Sequence, residues 1–222
     1  MPALNSPFLA LAAGRTALVM TIGHSTRTLK EFINLLQAHA VSCVVDVRTV
    51  PRSRHNPQFN KIALPGALKK VGLAYVHLPE LGGLRHVQRD SINAGWQNAS
   101  FRGYADYMQT PEFKQSLDAL VLLASRERIA LMCAEAVPWR CHRSLIADAL
   151  LARGIRTEHI MSATRRQLHL LTPFANVQGT AITYPAAVSD PAQKKPLAQP
   201  SRPRRVVNTT PELKIRKHRR QP

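Results

Sequence analysis

Short apolar runs alternate along the chain with amphipathic stretches, and this alternation constrains the fold more than any other feature. Residues 17–22 form an apolar run that ends at Gly23, and residues 43–47, CVVDV, form a second. Further runs of this kind are LAYVHL, IALMCA and TEHIM. A short continuous apolar run is typical of a strand that is buried on both faces of a parallel sheet. The sequence therefore predicts about five strands.

Helix signals separate these strands. Thr28 and Glu31 form a capping box, and the residues that follow have an apolar face. The predicted helices begin near Thr28, Leu64, Thr110 and Pro138, and the last one ends at Gly154. This order of elements predicts an α/β fold, a single domain with a mostly parallel sheet and helices on both faces.

The two ends of the chain differ in composition from the middle. We predict a flexible arm over residues 1–16, the α/β domain over 17–184 and a disordered, basic, Pro-rich tail over 185–222. From Ala186 onward there are ten Lys and Arg residues against two acidic ones, a net charge of +8 within a total of +18. Such a segment buries too little apolar surface to fold alone. Its charge favours nucleic acid or another polyanion as partner, and a solubilising tail is the alternative.

Cysteine usage and hydropathy indicate the compartment. The chain has three cysteines without regular short spacing, which argues against a disulfide scaffold. The apolar stretch near the N-terminus is about six residues long, far short of the roughly 18 that a membrane span needs. We therefore expect a cytoplasmic protein that does not contact membranes, and the oligomeric state stays open.

Polar side chains follow three of the predicted strands. GHS follows the first, DVR ends the second, and CAE ends the fourth, with CHR close behind. Ligands of parallel sheets bind beyond the carboxyl ends of the strands, so we expect these side chains to share one crevice. The candidates for acid, base or nucleophile are His24, Asp46, Cys133 and Glu135. The candidates for anion binding are Ser25, Arg48, Arg52, Arg54, His142 and Arg143.

The same residues leave other chemistries open. A cysteine beside arginines and a helix start suits a nucleophile, but the spacing from Cys133 to Arg140 exceeds that of the phosphate-binding C-x5-R loop by one residue. Cys133, Cys141 and His142 are metal-ligand types with an unusual spacing, and no metal is predicted. Cys133 and Cys141 also suit a redox pair, whereas Cys141 alone suits packing on the sheet.

Two further features have both a structural and a functional interpretation. Arg143 is expected either to hold an anion or to pair with Asp46 or Glu135. A polar stretch of about 25 residues, from Glu80 to Tyr104, has the length of a binding loop. Its aromatic residues suit either base stacking or core packing.

Five motifs resemble the bacterial and archaeal family called domain of unknown function 488. They are TIGHSTRTLKEF, VVDVRTVPRSRHNPQFN, YVHLPELGG, FRGYADYMQTPEF and LMCAEAVPWRCHRSLIADAL. The resemblance covers about residues 20–184. It implies an α/β fold of this size and no agreed activity, and its hallmark segments contain the strand-end residues named above.

These observations favour an enzyme or binder that acts on an anionic substrate, such as a nucleotide, a phosphate compound or a nucleic-acid end. In this interpretation the arginines position the anion and Glu135 or Asp46 transfers a proton with help from His24. One alternative is a nucleic-acid-binding module with a structural crevice. A second is a Cys/His metal site or a thiol redox site, and the cofactor is left unassigned.

Overall fold

A computed structural model describes residues 18–186 of the chain. The predicted arm, and the predicted tail except for its first two residues, lie outside the described residues. Within the described part, no helix is long and apolar enough to cross a membrane.

The described residues form eight strands and five helices. The strands are β1 (Leu18–Gly23), β2 (Cys43–Asp46), β3 (Ala74–His77), β4 (Ile129–Cys133), β5 (Arg156–Ile160), β6 (Arg166–Leu168), β7 (Asn176–Gln178) and β8 (Ala181–Thr183). The helices are α1 (Leu29–Ala38), α2 (Leu64–Lys69), α3 (Ala99–Tyr107), α4 (Pro111–Arg126) and α5 (Arg143–Leu151). The five predicted strands correspond to β1–β5.

Six strands form one sheet in the order β3-β2-β4-β1-β5-β6. The first five run parallel, and β6 joins β5 antiparallel. This confirms the predicted α/β class with a mostly parallel sheet. The sixth strand and the β7–β8 hairpin were not predicted, because β6 and β7 are exposed along their whole length and lack an apolar run.

Local capping explains where the helices begin. The predicted capping box of Thr28 and the cap at Thr110 are both present. The prediction that a helix starts near Pro138 is wrong for the α-helix: a single 3₁₀ turn occupies residues 138–140, and α5 begins at Arg143. The predicted 80–104 loop also contains most of α3, whose first N–H groups donate to the Asn98 side chain.

The alternation of side chains along the strands builds two cores on opposite faces of the sheet. Val19, Val45 and Leu131 face the core that includes α3, α4 and α5. Met20 and Met132 face the core that includes α1 and α2. Because successive strand residues point to opposite faces, each buried strand serves both cores.

The connections reverse direction between β1 and β4. From β1 the chain proceeds to β2 and then β3 on one side, whereas from β4 it proceeds across to β5 on the other side. β1 and β4 are hydrogen-bonded neighbours, with Gly23 opposite Cys133 at their carboxyl ends. A pair of adjacent strands whose connections diverge leaves a crevice at their carboxyl ends, where open α/β sheets bind ligands.

Asp148 ties the residues that follow the sheet to α5. Its buried carboxylate accepts hydrogen bonds from His169 Nε2 (2.9 Å), Thr172 Oγ1 (2.7 Å) and the Tyr184 hydroxyl (2.8 Å). The Thr172 backbone N–H adds a fourth at 3.0 Å. One buried carboxylate with four donors is a strong anchor, because charge-assisted hydrogen bonds are about twice as strong as neutral ones.

We predict that Asp148→Asn lowers the free energy of unfolding by roughly 3 kcal/mol, because an amide leaves buried donors with a weaker or missing acceptor. Urea unfolding monitored by circular dichroism measures the loss. The control is Asp118→Asn, whose carboxylate is half exposed beside Arg153 and is expected to contribute less than about 1 kcal/mol. Equal losses in the two variants would contradict this role for Asp148.

Candidate functional site

A cleft of about 630 Å³ opens at the carboxyl ends of β1 and β4, at the point where the connections diverge. The predicted site residues that line it are Ser25, Arg48, Cys133, Glu135 and His142. The other lining residues are Thr49, Val50, Gly83, Leu84, Ser100, Phe101, Ala134, Ala136, Arg140 and Cys141. The strand ends therefore meet as expected, but they do not bring every predicted residue into the cleft.

Strand alternation places two groups of polar side chains on the two faces of the sheet. Arg48 contacts both His24 and Asp46 beside Phe59, which belongs to the α1/α2 core. We call these three the ion-pair cluster. Cys133, Cys141 and His142 gather on the α5 face, and we call them the thiol cluster.

The ion-pair cluster uses the guanidinium of Arg48 for internal contacts. Arg48 Nε donates to Asp46 Oδ1 (2.8 Å) and Nη2 donates to Oδ2 (2.6 Å). Asp46 is fully buried and also accepts from the Tyr75 hydroxyl at 2.8 Å. Asp46 therefore pairs with Arg48 and not with Arg143, and it has no surface from which to exchange a proton with a ligand.

His24 is held as a neutral imidazole inside the same cluster. Its Nδ1–H donates to the Ser25 carbonyl (2.8 Å), so its Nε2 is the acceptor for Arg48 Nη1 (3.1 Å). The ring stacks on Phe59 with centroids 4.2 Å apart. Burial lowers the pKa of His24 from 6.5 to about 4, and the nearby Arg48 charge acts in the same direction. Here His24 positions Arg48 and the end of β1.

The thiol cluster joins the end of β4 to the start of α5. Its two sulfur atoms and a ring nitrogen of His142 all lie within 4.8 Å of one another. The Cys141 Sγ to His142 Nδ1 distance is 3.6 Å. Arg143 Nε donates to Cys141 Sγ at 3.3 Å. Both thiols are buried in the core on the α5 face and also line the cleft, so the predicted packing of Cys141 on the sheet coexists with a position at the cleft.

The two thiols differ in acidity because they share one proton. A hydrogen bond from Cys133 to the Cys141 sulfur is the main cause that holds the pKa of Cys141 well below 9.0 and raises the pKa of Cys133. The charge of Arg143 favours the Cys141 thiolate further. The third cysteine, Cys43, has its pKa raised to about 11 by burial. The surroundings of the pair therefore favour the thiolate at Cys141.

Arg143 lies behind the thiols and not in the cleft. It is almost completely buried and donates to the Glu135 backbone carbonyl and to Thr21 Oγ1 (3.5 Å). Among residues 18–186, no carboxylate lies within 4.0 Å of its guanidinium. The expected ion pair with Asp46 or Glu135 is therefore not formed. Arg52 and Arg54 are exposed on the loop after β2 and do not line the cleft.

The exposed charges that do line the cleft are Glu135 and Arg140. Glu135 Oε1 accepts from the Val137 N–H (3.1 Å), and the side chain is exposed to solvent. Arg140 is not among the residues predicted from the sequence, because its spacing from Cys133 exceeds that of the C-x5-R loop by one residue. Thr49 and Ser100, which add hydroxyl groups, carried no distinctive sequence pattern.

Ser25 has an unusual backbone conformation beside the cleft. Its φ of 48° lies in the left-handed region, which costs a non-glycine residue roughly 1–3 kcal/mol. The Ser25 N–H donates to the Ala134 carbonyl (2.9 Å), which holds this turn against the loop after β4. At the adjacent Gly23, a Cβ atom would overlap the Glu135 carbonyl, so only glycine allows this approach. Strain of this kind is often found at functional sites.

The aromatic residues of the long polar stretch mostly pack within the protein. Trp96 contacts Phe101, Phe174 and Tyr184, with ring centroids 4.7, 4.9 and 5.6 Å apart. Tyr104 is fully buried and donates to the Leu81 carbonyl at 2.9 Å. Of these rings, Phe101 alone lines the cleft, so the structure favours core packing over a base-stacking surface here.

We predict that the fold loses stability between pH 7 and pH 5. His24 and His159 have pKa values of about 4 in the folded chain, mainly through burial, against 6.5 for a histidine exposed to water. Between pH 7 and pH 5 the unfolded chain therefore binds protons that the folded chain does not. The free energy of unfolding decreases as the pH is lowered, because protonation favours the unfolded chain. The expected loss at pH 5 is about 2 kcal/mol per histidine.

Urea unfolding at pH 7, 6 and 5 tests this dependence. His24→Gln should remove about half of it, since each histidine carries a similar share. His55→Gln, at an exposed position on the loop after β2, is the matched control and should leave the dependence unchanged. A wild-type protein equally stable at pH 7 and pH 5 would contradict the prediction.

Comparison with known proteins adds the family. The family model described as Domain of unknown function DUF488 matches residues 28–150, more than half of the chain. The matched range contains the thiol cluster, Arg48 and Arg140, whereas His24 and Ser25 precede it. Searches of curated proteins and of solved structures gave no match. The resemblance of the five motifs is thereby confirmed, and the chain belongs to the family of Domain of unknown function DUF488.

Proposed function

We propose that the protein is an enzyme that binds an anionic small substrate in the cleft and carries out its chemistry there, beside the thiol cluster. The observation that supports this most is the position of the cluster. Two thiols and an imidazole converge at the divergence point of β1 and β4 and line the cleft. This is where open α/β sheets bind their ligands, and the cluster supplies groups that ordinary packing does not require.

The preference for an anion follows from the groups in and behind the cleft. Arg140 is exposed at its rim, and Ser25 and Thr49 add hydroxyl donors. The buried charge of Arg143 lies directly behind the sulfur of Cys141. An exposed guanidinium with neighbouring hydroxyls suits phosphate or carboxylate groups. We assign the substrate class as nucleotides, phosphate compounds or nucleic-acid ends.

Glu135 is the proton-transfer group in this proposal. Its carboxylate lines the same cleft as Arg140 and is reachable from solvent. For a hydrolytic step, water attacks the bond beside the anionic group, Glu135 takes the proton from that water, and the same proton passes to the leaving group. Because its negative charge would repel a phosphate placed against it, the anion lies on the Arg140 side of the cleft.

Two predictions from the sequence remain proposals beside this one. The free thiols of the cluster suit a reducing, cytoplasmic compartment. Contact with nucleic acid or another polyanion through the basic tail rests on the sequence charge of that segment alone.

Anion binding is tested by thermal shift of the full-length protein with nucleotides, sugar phosphates and inorganic phosphate at fixed ionic strength. A bound ligand raises the melting temperature by mass action. Arg140→Gln should weaken the binding of any stabilising compound at least about tenfold, a change of roughly 1.4 kcal/mol. Arg126→Gln, which removes an exposed charge from the last turn of α4, should change binding less than about twofold.

A screen in which no anion stabilises the wild-type protein would count against the proposal. So would equal losses of affinity in Arg140→Gln and Arg126→Gln, because the effect would then report only the overall charge of the protein.

Catalysis is tested with Glu135→Gln and a compound that binds. The amide keeps an oxygen for the Val137 N–H, so affinity should change little. Loss of the proton-transfer group should lower turnover about 100-fold or more. Product formation followed by chromatography measures the effect. Unchanged turnover in this variant would show that Glu135 does not transfer a proton in the reaction.

A further inference from the structure

We propose that Cys133, Cys141 and His142 bind one Zn²⁺ ion whose fourth coordination position opens to the cleft. This inference rests on the proposed function in one respect, the cleft as the place where the substrate binds, and it adds a zinc ion as the cofactor. The ligand set itself is argued from the geometry of the three side chains.

The spacing of the ligand atoms fits a single tetrahedral ion. Zinc bonds of about 2.3 Å to sulfur and about 2.0 Å to nitrogen place the two ligand atoms roughly 3.6 Å apart at a tetrahedral angle. The Cys141 Sγ to His142 Nδ1 distance is 3.6 Å. Cys133 Sγ lies within 4.8 Å of the Cys141 sulfur and of a ring nitrogen of His142. A rotation of the Cys133 side chain would bring its sulfur to the third position around one ion.

The histidine already presents the nitrogen that a metal needs. His142 Nε2 lies 3.1 Å from the Val47 carbonyl oxygen, which only accepts, so Nε2 carries the proton. Nδ1 is then left with a lone pair, and it is the nitrogen beside the sulfurs. Metal-binding histidines commonly donate their other ring N–H to a backbone carbonyl in this way, which fixes both the tautomer and the ring orientation.

Gly83 holds the imidazole ring in place without covering the lone pair. A Cβ atom at this position would lie 2.6 Å from Nδ1, 2.8 Å from Cγ and 3.2 Å from Cε1 of His142. These three distances place the Cβ atom over the face of the ring. An atom in the ring plane along the lone pair of Nδ1 would lie farther from Cγ and Cε1 than these values, and about equally far from each. The in-plane direction of Nδ1 is therefore not blocked by Gly83.

The charges of the site also favour a cation held by two thiolates. Metal binding keeps both sulfurs deprotonated. Two thiolates and one Zn²⁺ ion sum to zero, and Arg143 Nε donates to the Cys141 sulfur at 3.3 Å. Such N–H···S contacts are typical of the outer shell around metal thiolates. Arg143 has no carboxylate within 4.0 Å among the described residues, so the thiolates are its nearest compensating charge.

The number and type of ligands indicate a catalytic zinc ion. Soft sulfur and imidazole ligands favour zinc over magnesium or calcium. Structural zinc sites use four protein ligands, whereas catalytic sites use three and leave one position for water or substrate. All three residues line the cleft, so that position faces the proposed substrate. Zinc bound there would supply a Lewis acid and an acidified water molecule.

Metal content and affinity of the full-length protein test the inference. We expect wild-type protein, purified under reducing conditions without chelator and dialysed against zinc, to hold about one Zn²⁺ per chain by elemental analysis. Cys133→Ser and Cys141→Ser should each bind zinc at least about tenfold more weakly in a competition titration with a chromophoric chelator. Cys43→Ala is the matched control, since Cys43 lies at the start of β2, outside the cluster, and should keep full zinc binding.

Cobalt provides a second measurement that does not depend on the stability of the variants. Co²⁺ added to the wild-type protein should give thiolate-to-metal absorption in the near ultraviolet and the visible bands of a four-coordinate ion, and both should persist in Cys43→Ala. Gly83→Ala should weaken these bands by displacing the imidazole while leaving both thiols present.

Several results would overturn the inference. These are wild-type protein that takes up no zinc, zinc uptake that Cys133→Ser and Cys141→Ser both leave unchanged, or a Cys133–Cys141 disulfide that forms in place of a metal site under the same reducing conditions. The outcome is separable from that of the proposed function. If anions stabilise the protein through Arg140 and no zinc is taken up, the proposed anion site stands and the zinc site is wrong. If zinc is taken up and no anion has an effect, the zinc site stands and the anion site is wrong.

Discussion

The parallel pairing of β1 with β4 is the interaction on which the rest of the structure depends. It brings Gly23 opposite Cys133, and hydrogen bonds continue past the strand ends from the His24 and Ser25 N–H groups to the Cys133 and Ala134 carbonyls, both at 2.9 Å. The glycine allows the loop after β4 to lie directly against β1. Because the connections diverge at this pair, the same contact creates the cleft and brings its groups together.

Strand alternation then decides which polar groups enter the cleft. Asp46 and the residue two positions later, Arg48, lie toward the α1/α2 side, where they satisfy each other. Val47, between them, belongs to the opposite core, and its carbonyl fixes His142. One strand end thus supplies a self-contained ion pair on one face and a positioning contact for the thiol cluster on the other. The guanidinium of the DVR motif is paired with Asp46 for this reason.

The fold could be predicted from the sequence because buried parallel strands and helix caps leave local signals. CVVDV and the Thr28 capping box are of this kind. The site was predictable only as a set of strand ends. The sequence does not give the order of the strands, and without that order the face on which each polar residue lies is unknown. Arg140 lines the cleft, and Gly83 lies against the ring of His142. Both contacts depend on the three-dimensional arrangement, so no local sequence pattern indicates them.

A buried chain of hydrogen bonds extends the charge of Arg143 away from the cleft. Arg143 contacts Thr21 Oγ1 (3.5 Å), Thr21 contacts His159 Nδ1 (2.8 Å), and His159 Nε2 contacts His169 Nδ1 (3.1 Å). His169 Nε2 reaches Asp148 at 2.9 Å. A guanidinium only donates and a carboxylate only accepts, so both ends of the chain have a fixed direction. With His159 neutral because burial lowers its pKa to about 4, every contact between them can run the same way. The chain thus connects Arg143 to the Asp148 carboxylate through three intervening side chains, while Arg143 Nε stays directed at the Cys141 sulfur at 3.3 Å.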